Sequence, residues 1–137
     1  MVILAVDYGD ARTGLAVCDA MEMLASPVTV LHEADANALA ARISEVAKER
    51  GAQKIVVGLP KNMDGTEGFR AQSCRAFAEQ LHELCALPVD FQDERLTTVA
   101  AHRALNVTNT RGKKRKAVID AVSAVMILED YLRTAKS

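Results

Sequence analysis

The chain lacks tryptophan and carries only two tyrosines and three phenylalanines in 137 residues, so its core must be built from Val, Leu, Ile, Met and Ala. Cysteine is scarce too. Cys18, Cys74 and Cys85 are odd in number and lack metal-ligand spacing, which excludes a disulfide framework and a thiolate zinc site. Reduced thiols in a cytoplasmic protein are the expectation. No stretch approaches the roughly 20 apolar residues of a membrane-spanning helix. The N-terminal apolar run, Val2 to Val6, meets Asp7 at once, so no signal peptide is expected. Repeats, low-complexity tracts and interdomain linkers are absent, and residues 1–137 are expected to form one domain.

Half the residues are hydrophobic and about a quarter are charged, the composition of a globular protein. The formal net charge of −1 conceals a polarity. Residues 108–137 hold seven Lys and Arg against three Asp and Glu, a net +4; the remaining ten bases and fifteen acids leave residues 1–107 at −5. The positive charge is concentrated in Arg111, Lys113, Lys114, Arg115 and Lys116, a cluster suited to phosphate contacts.

The hydrophobic pattern predicts strands over 2–8, 13–17, 26–31, 54–59 and 89–92. A helix is expected from a cap at Asp35 to about Arg50, stopped by Gly51. A second is expected to open with Asp64 and Glu67 as a capping box and to bury Phe69, Cys74, Phe77, Leu81 and Leu84 before Pro88. Thr97 or Thr98 is expected to cap a third, running to about Leu105. A polar linker over 107–113 leads to a last helix over 114–132. The order β-β-β-α-β-α-β-α-α predicts an α/β fold: a mixed five-stranded sheet, antiparallel over its three leading strands and parallel thereafter, with helices on both faces.

Three acids stand in unlikely places. Residues 117–128, Ala-Val-Ile-Asp-Ala-Val-Ser-Ala-Val-Met-Ile-Leu, form a helical stretch that is apolar nearly all round and charged only at Asp120. Asp7 closes the first strand and Glu94 follows the last. A carboxylate at the edge of a core needs a partner, a proton or a metal. Three such groups together repel one another unless a cation intervenes, and Mg²⁺ or Mn²⁺ favours oxygen ligands. Two such metals about 4 Å apart can activate water and steady the leaving oxygen of a phosphodiester. Arg12 and Lys61, each near the end of a central strand, are further candidates for phosphate contacts. His32, His82 and His102 fall at polar positions and read as structural.

The motifs Asp7-Tyr8-Gly9-Asp10-Ala11-Arg12-Thr13-Gly14-Leu15-Ala16, Val56-Val57-Gly58-Leu59-Pro60-Lys61-Asn62-Met63-Asp64-Gly65-Thr66-Glu67-Gly68, Asp93-Glu94-Arg95-Leu96-Thr97-Thr98 and Lys113 through Leu128 resemble, in order, the four motifs of the YqgF/RuvX family of RNase H-like nucleases. The resemblance spans essentially the whole chain. It implies an RNase H-like fold and a metal-dependent nuclease, with Asp7, Glu94 and Asp120 as catalytic metal ligands. Family members are described as nucleases maturing the 5′ end of pre-16S ribosomal RNA and as Holliday junction resolvases. One departure stands out. Many RNase H-like nucleases carry a fourth carboxylate near the third, whereas positions 123 and 124 here are Ser and Ala; Asp64 and Asp93 are the substitutes on offer.

The expected function is endonucleolytic maturation of pre-16S rRNA by a monomer or homodimer, in contact with structured RNA and with a ribosomal particle. Junction resolution on four-way DNA and a non-catalytic role in ribosome assembly are the alternatives. A fourth reading, half of an actin- or Hsp70-like ATPase, rests on the Asp-x-Gly turn and needs a second domain for which this length leaves no room.

Overall fold

The computed structural model describes residues 1–94 and 113–135, the side chains of 113–121 and 135 excepted. The expected helix from Thr97 or Thr98 to Leu105, and residues 107–112 of the expected linker, lie outside that range.

The elements are β1 (Ile3–Asp7), β2 (Thr13–Cys18), β3 (Ala25–Leu31), α1 (Ala36–Arg50), β4 (Lys54–Leu59), α2 (Phe69–Cys85), β5 (Val89–Asp93) and α3 (Lys113–Ala135). The sheet order is β3-β2-β1-β4-β5. β1 pairs antiparallel with β2 and β2 with β3, while β4 runs parallel to β1 and to β5. This is the mixed sheet the sequence predicts. The parallel pairs put the C-terminal ends of β1, β4 and β5 at one edge of the molecule.

Alternation along the strands sorts two cores. Leu4, Val6, Leu15, Ile55, Val57 and Leu59 pack with Leu39 and Ile43 of α1 and with Cys74, Phe77 and Leu81 of α2. Ile3, Ala5, Ala16, Cys18 and Val56 pack on the other face against Ala124, Ile127, Leu128, Tyr131 and Leu132 of α3. Each large aliphatic side chain buried this way contributes roughly 1.5–3 kcal/mol.

The limits of α1 follow local chemistry. Asp35 accepts a hydrogen bond from the Ala38 N–H at 2.9 Å, and Gly51 ends the helix in the left-handed region at φ 67°.

The start of α2 differs from expectation. Asp64 accepts from the N–H and hydroxyl of Thr66 at 3.0 and 2.6 Å, a turn of its own, and Gly68 precedes the helix. Glu67 is taken by Arg75 instead of capping. Phe69 and Leu84, expected in the core, are 82% and 54% exposed. The helix buries Ala71, Cys74, Phe77, Ala78 and Leu81, and Phe69 falls off that stripe. Within the stretch expected to be apolar all round, Ser123, Ala124, Ile127 and Leu128 of α3 are buried and Val122, Val125 and Met126 are half-buried; beyond it Glu129 and Arg133 face solvent.

Candidate functional site

Asp7 is the last residue of β1, and Glu94 directly follows β5, its N–H donating to the Leu59 carbonyl at 3.1 Å. β4 lies between them. Parity places both on the α3 face: Asp7 continues the series Ile3, Ala5, and Glu94 continues from Asp90, whose carboxylate meets Tyr131 of α3.

The strands beside Asp7 are bare on that face. Gly14 of β2 is its register partner, and the β1–β4 register carried one residue past Val6–Val57 sets Gly58 on its other side. Gly58 has a definite purpose. A Cβ there would stand 2.8 Å from Glu94 Oε1 and 2.6 Å from Ile127 Cδ1. The missing side chain is the space into which the Glu94 carboxylate folds, and Glu94 is only 4% exposed.

Asp120 lies in α3, seven residues before Ile127. Its side chain is among those not described. Among the described residues no group of three or more His, Cys, Asp or Glu is placed to hold a metal ion, so neither Asp64 nor Asp93 completes a triad with Asp7 and Glu94.

The turn after Asp7 is tightly built. A Cβ on Gly9 would collide with the Arg12 carbonyl oxygen, and the Gly9 N–H donates to Thr13 Oγ1 at 3.3 Å. From the start of α2, Arg70 donates to the Tyr8 carbonyl at 3.0 Å and to Asp10 Oδ1 at 2.9 Å. The Tyr8 ring stacks on Phe77, centroids 4.3 Å apart. Burial pushes the Tyr8 hydroxyl pKa up, with Cys74 and Asp10 adding and Arg70 opposing. Thus α2 anchors the loop that leads away from Asp7. Sequence reasoning missed Arg70 because nothing local marks a contact sixty residues away.

Of the expected cations, Arg12 is half-buried just before β2. Lys61 Nζ stands 4.0 Å from Glu67, whose carboxylate is held bidentately by Arg75 at 2.5 and 2.7 Å. That fork lowers the Glu67 pKa. Lys113, Lys114, Arg115 and Lys116 begin α3, with side chains not described, and Arg111 lies outside the described residues.

The opposite end of the sheet holds a separate polar chain. Lys54 Nζ donates to the Tyr131 hydroxyl, which donates to Asp90, both at 2.8 Å. Asp130, 3% exposed, is ion-paired with Arg133. Among the described residues no helix is long and apolar enough to cross a membrane.

The family model described as "RuvX: Holliday junction resolvase" matches residues 1–134. A relative from Cereibacter sphaeroides (strain ATCC 17025), named "Putative pre-16S rRNA nuclease", is 45% identical over 130 residues, covering 95% of this chain and 81% of that one. A relative of the same name from Bacillus cereus (strain B4264) is 45% identical over 134 residues, covering 96% and 98%. Among solved structures, Thermus thermophilus RuvC in complex with Holliday junction substrate superposes with a TM-score of 0.62 at 15% identity, covering 100% of this chain and 98% of that one. The fowlpox virus Holliday junction resolvase gives 0.54 at 12% identity, covering 98% and 99%. Likeness at that identity establishes the RNase H-like fold.

Proposed function

Because the chain belongs to the RuvX family, we propose that it is a metal-dependent endonuclease that hydrolyses phosphodiester bonds in structured RNA, with 5′-end maturation of pre-16S rRNA as its task. The observation that carries this reading is the delivery of Asp7 and Glu94, from strands separated by β4, to one face and one end of the sheet, with Glu94 folded into the space left by Gly58. The names of the 45%-identical relatives favour RNA as substrate.

The donors fit a hard divalent cation. Both described groups are carboxylates, and the Gly58 cradle keeps one of them in place where a Cβ would displace it. Asp7, Glu94 and Asp120 would hold Mg²⁺ or Mn²⁺. When bound, such an ion supplies activation of water and stabilisation of the leaving oxygen. The chain's own groups do the rest. Arg12 and Lys61 hold the phosphate backbone at the strand ends, with Lys61 exchanging Glu67 for a phosphate. The 111–116 cluster adds further backbone contacts, and its removal flattens the dependence of binding on log salt. Arg70 keeps the loop after Asp7 in register. The whole of residues 1–137 acts as one domain, working in the cytoplasm on a ribosomal precursor particle.

The family description supports a second reading, cleavage of four-way DNA. One assay separates the two. Wild type and Asp120→Asn are given a precursor 16S 5′ fragment and a four-way DNA junction, with Mg²⁺, Mn²⁺ or EDTA. The expected result is metal-dependent cutting of the RNA that Asp120→Asn abolishes. Cutting of the junction alone would transfer the function to DNA. Cutting of neither substrate, in a preparation that binds RNA, would leave an assembly role.

A further inference from the structure

We propose that the loop between β4 and α2 presents Phe69 as a stacking platform for an unpaired base of the substrate, so that the nucleic acid cleaved carries a single-stranded segment beside the scissile phosphate. The inference rests on the nuclease reading above and narrows its substrate class.

A singly exposed apolar side chain on a protein surface is ordinary. The β4–α2 connection is different, because the loop and the first residue of α2 each expose a large one while the loop is internally fixed. Phe69 is 82% exposed and Met63 69%. Yet the backbone between them is cross-linked. Asn62 N–H donates to the Thr66 carbonyl and Gly65 N–H to the Asn62 carbonyl, both at 2.9 Å. Asn62 Nδ2 reaches Thr66 Oγ1 at 3.0 Å, Asp64 accepts twice from Thr66, and Arg75 grips Glu67. The loop has the hydrogen bonds of an ordered element, and it holds its largest side chains out in water. Phe69 cannot turn inward, since it lies off the stripe through which α2 meets the sheet.

Position and charge indicate the occupant. The loop leaves β4 at the edge where Asp7 and Glu94 stand. Arg70, the next residue after Phe69, is bonded to the carbonyl of Tyr8, which directly follows Asp7. Lys61 opens the same loop, and Arg70 remains 44% exposed. An exposed aromatic face on the segment that also carries Lys61, leading from the strand end where Asp7 and Glu94 stand, matches a nucleotide: phosphate to Lys61, base to Phe69. Bases paired within a duplex are already stacked and present only their edges, whereas an unpaired base offers its face.

The absence of tryptophan makes Phe69→Trp a single fluorescent reporter. The test uses Asp7→Asn protein with Mg²⁺, so that the RNA survives, and compares Phe69→Ala and Phe69→Trp in that background. The probes are a short RNA with an unpaired segment and the same RNA annealed to its full complement. Phe69→Ala is expected to weaken binding of the unpaired RNA by about tenfold, within the span of base–aromatic stacking, and to leave the duplex within about twofold. Phe69→Trp is expected to keep the affinity, with its fluorescence quenched by the unpaired RNA. Equal affinities for Phe69→Ala and its background on unpaired RNA would overturn the inference, as would a Trp signal unchanged by bound RNA; either leaves the nuclease reading standing. Wild type that, with EDTA present to stop cleavage and again with Ca²⁺ in place of Mg²⁺, binds neither RNA would overturn both. Because Phe69 is largely solvated, unchanged circular dichroism of Phe69→Ala is expected and excludes loss of fold as the cause.

Discussion

Gly58→Ala is the sharpest perturbation the structure offers. The new Cβ would sit 2.6 Å from Ile127 Cδ1, 2.8 Å from Glu94 Oε1 and 3.1 Å from Glu94 Cδ, against the roughly 3.5–4.0 Å of a comfortable carbon contact. Ile127 is 0% and Glu94 4% exposed, so neither can swing freely into solvent. Inserting a methyl group into such packing costs about 1–3 kcal/mol. The smaller conformational freedom of Ala in the unfolded chain returns about 0.4–1 kcal/mol. The net loss is then about 1–2 kcal/mol, which for a chain of this size lowers Tm by roughly 3–8 °C. Displacing Glu94 should also weaken Mn²⁺ binding by about tenfold, equivalent to about 1.4 kcal/mol. Thermal circular dichroism and a Mn²⁺ titration read the two effects separately. Adding Ile127→Val removes the Cδ1 clash alone, so Gly58→Ala/Ile127→Val should regain part of the Tm while its Mn²⁺ affinity stays low. A Gly58→Ala protein with wild-type Tm and wild-type Mn²⁺ affinity would refute the idea that Gly58 exists to seat Glu94.

Three further outcomes are expected. Gly9→Ala, whose Cβ would strike the Arg12 carbonyl, should cost about 2 kcal/mol or more in urea denaturation, because backbone rather than a side-chain tip must yield. Asp35→Ala removes the cap of α1 and should cost about 1 kcal/mol in the same assay. Tyr131→Phe breaks the link between Lys54 and Asp90 and should cost about 1–3 kcal/mol near neutrality. Its pH dependence has a definite sign. Tyr131 is raised by burial, and Lys54 is raised by its hydrogen bond to Tyr131. A raised pKa contributes stability that is whole below the ordinary value and lost as pH climbs through the folded one. The gap between wild type and Tyr131→Phe should therefore narrow above about pH 10; a gap that widens there would contradict the assignment.

The parts of the fold legible in the sequence are those fixed by local chemistry. Val2 to Val6 and Ile55 to Val57 are apolar enough to be central strands, and they are neighbours in the sheet. Asp35 and Gly51 mark α1 because a cap and a left-handed stop are properties of single residues. The start of α2 was illegible for the converse reason. Asp64 and Glu67 have capping-box spacing, but Thr66 satisfies Asp64 and Arg75, eight residues on, satisfies Glu67. Competition among several partners within hydrogen-bond reach is decided in three dimensions. The same holds for Phe69, whose spacing suits a buried stripe that in fact begins at Ala71. At the site, Asp7 and Glu94 were legible as acids closing apolar strands. The role of Gly58 was not, since it depends on a neighbour thirty-six residues away. Asp130, buried and paired with Arg133, gave no sign either, because Glu129 beside it looks the same in sequence yet faces solvent.

Asp7, Glu94 and Asp120 are proposed to serve one metal-dependent hydrolytic site. The most direct test is to titrate Mn²⁺ into wild type, Asp7→Asn, Glu94→Gln and Asp120→Asn, and to follow cleavage of the precursor 16S 5′ fragment by the same four proteins. Each substitution is expected to weaken Mn²⁺ binding and abolish cleavage while the fold survives. Wild-type Mn²⁺ affinity together with wild-type cleavage in any one of the three variants would contradict the proposal.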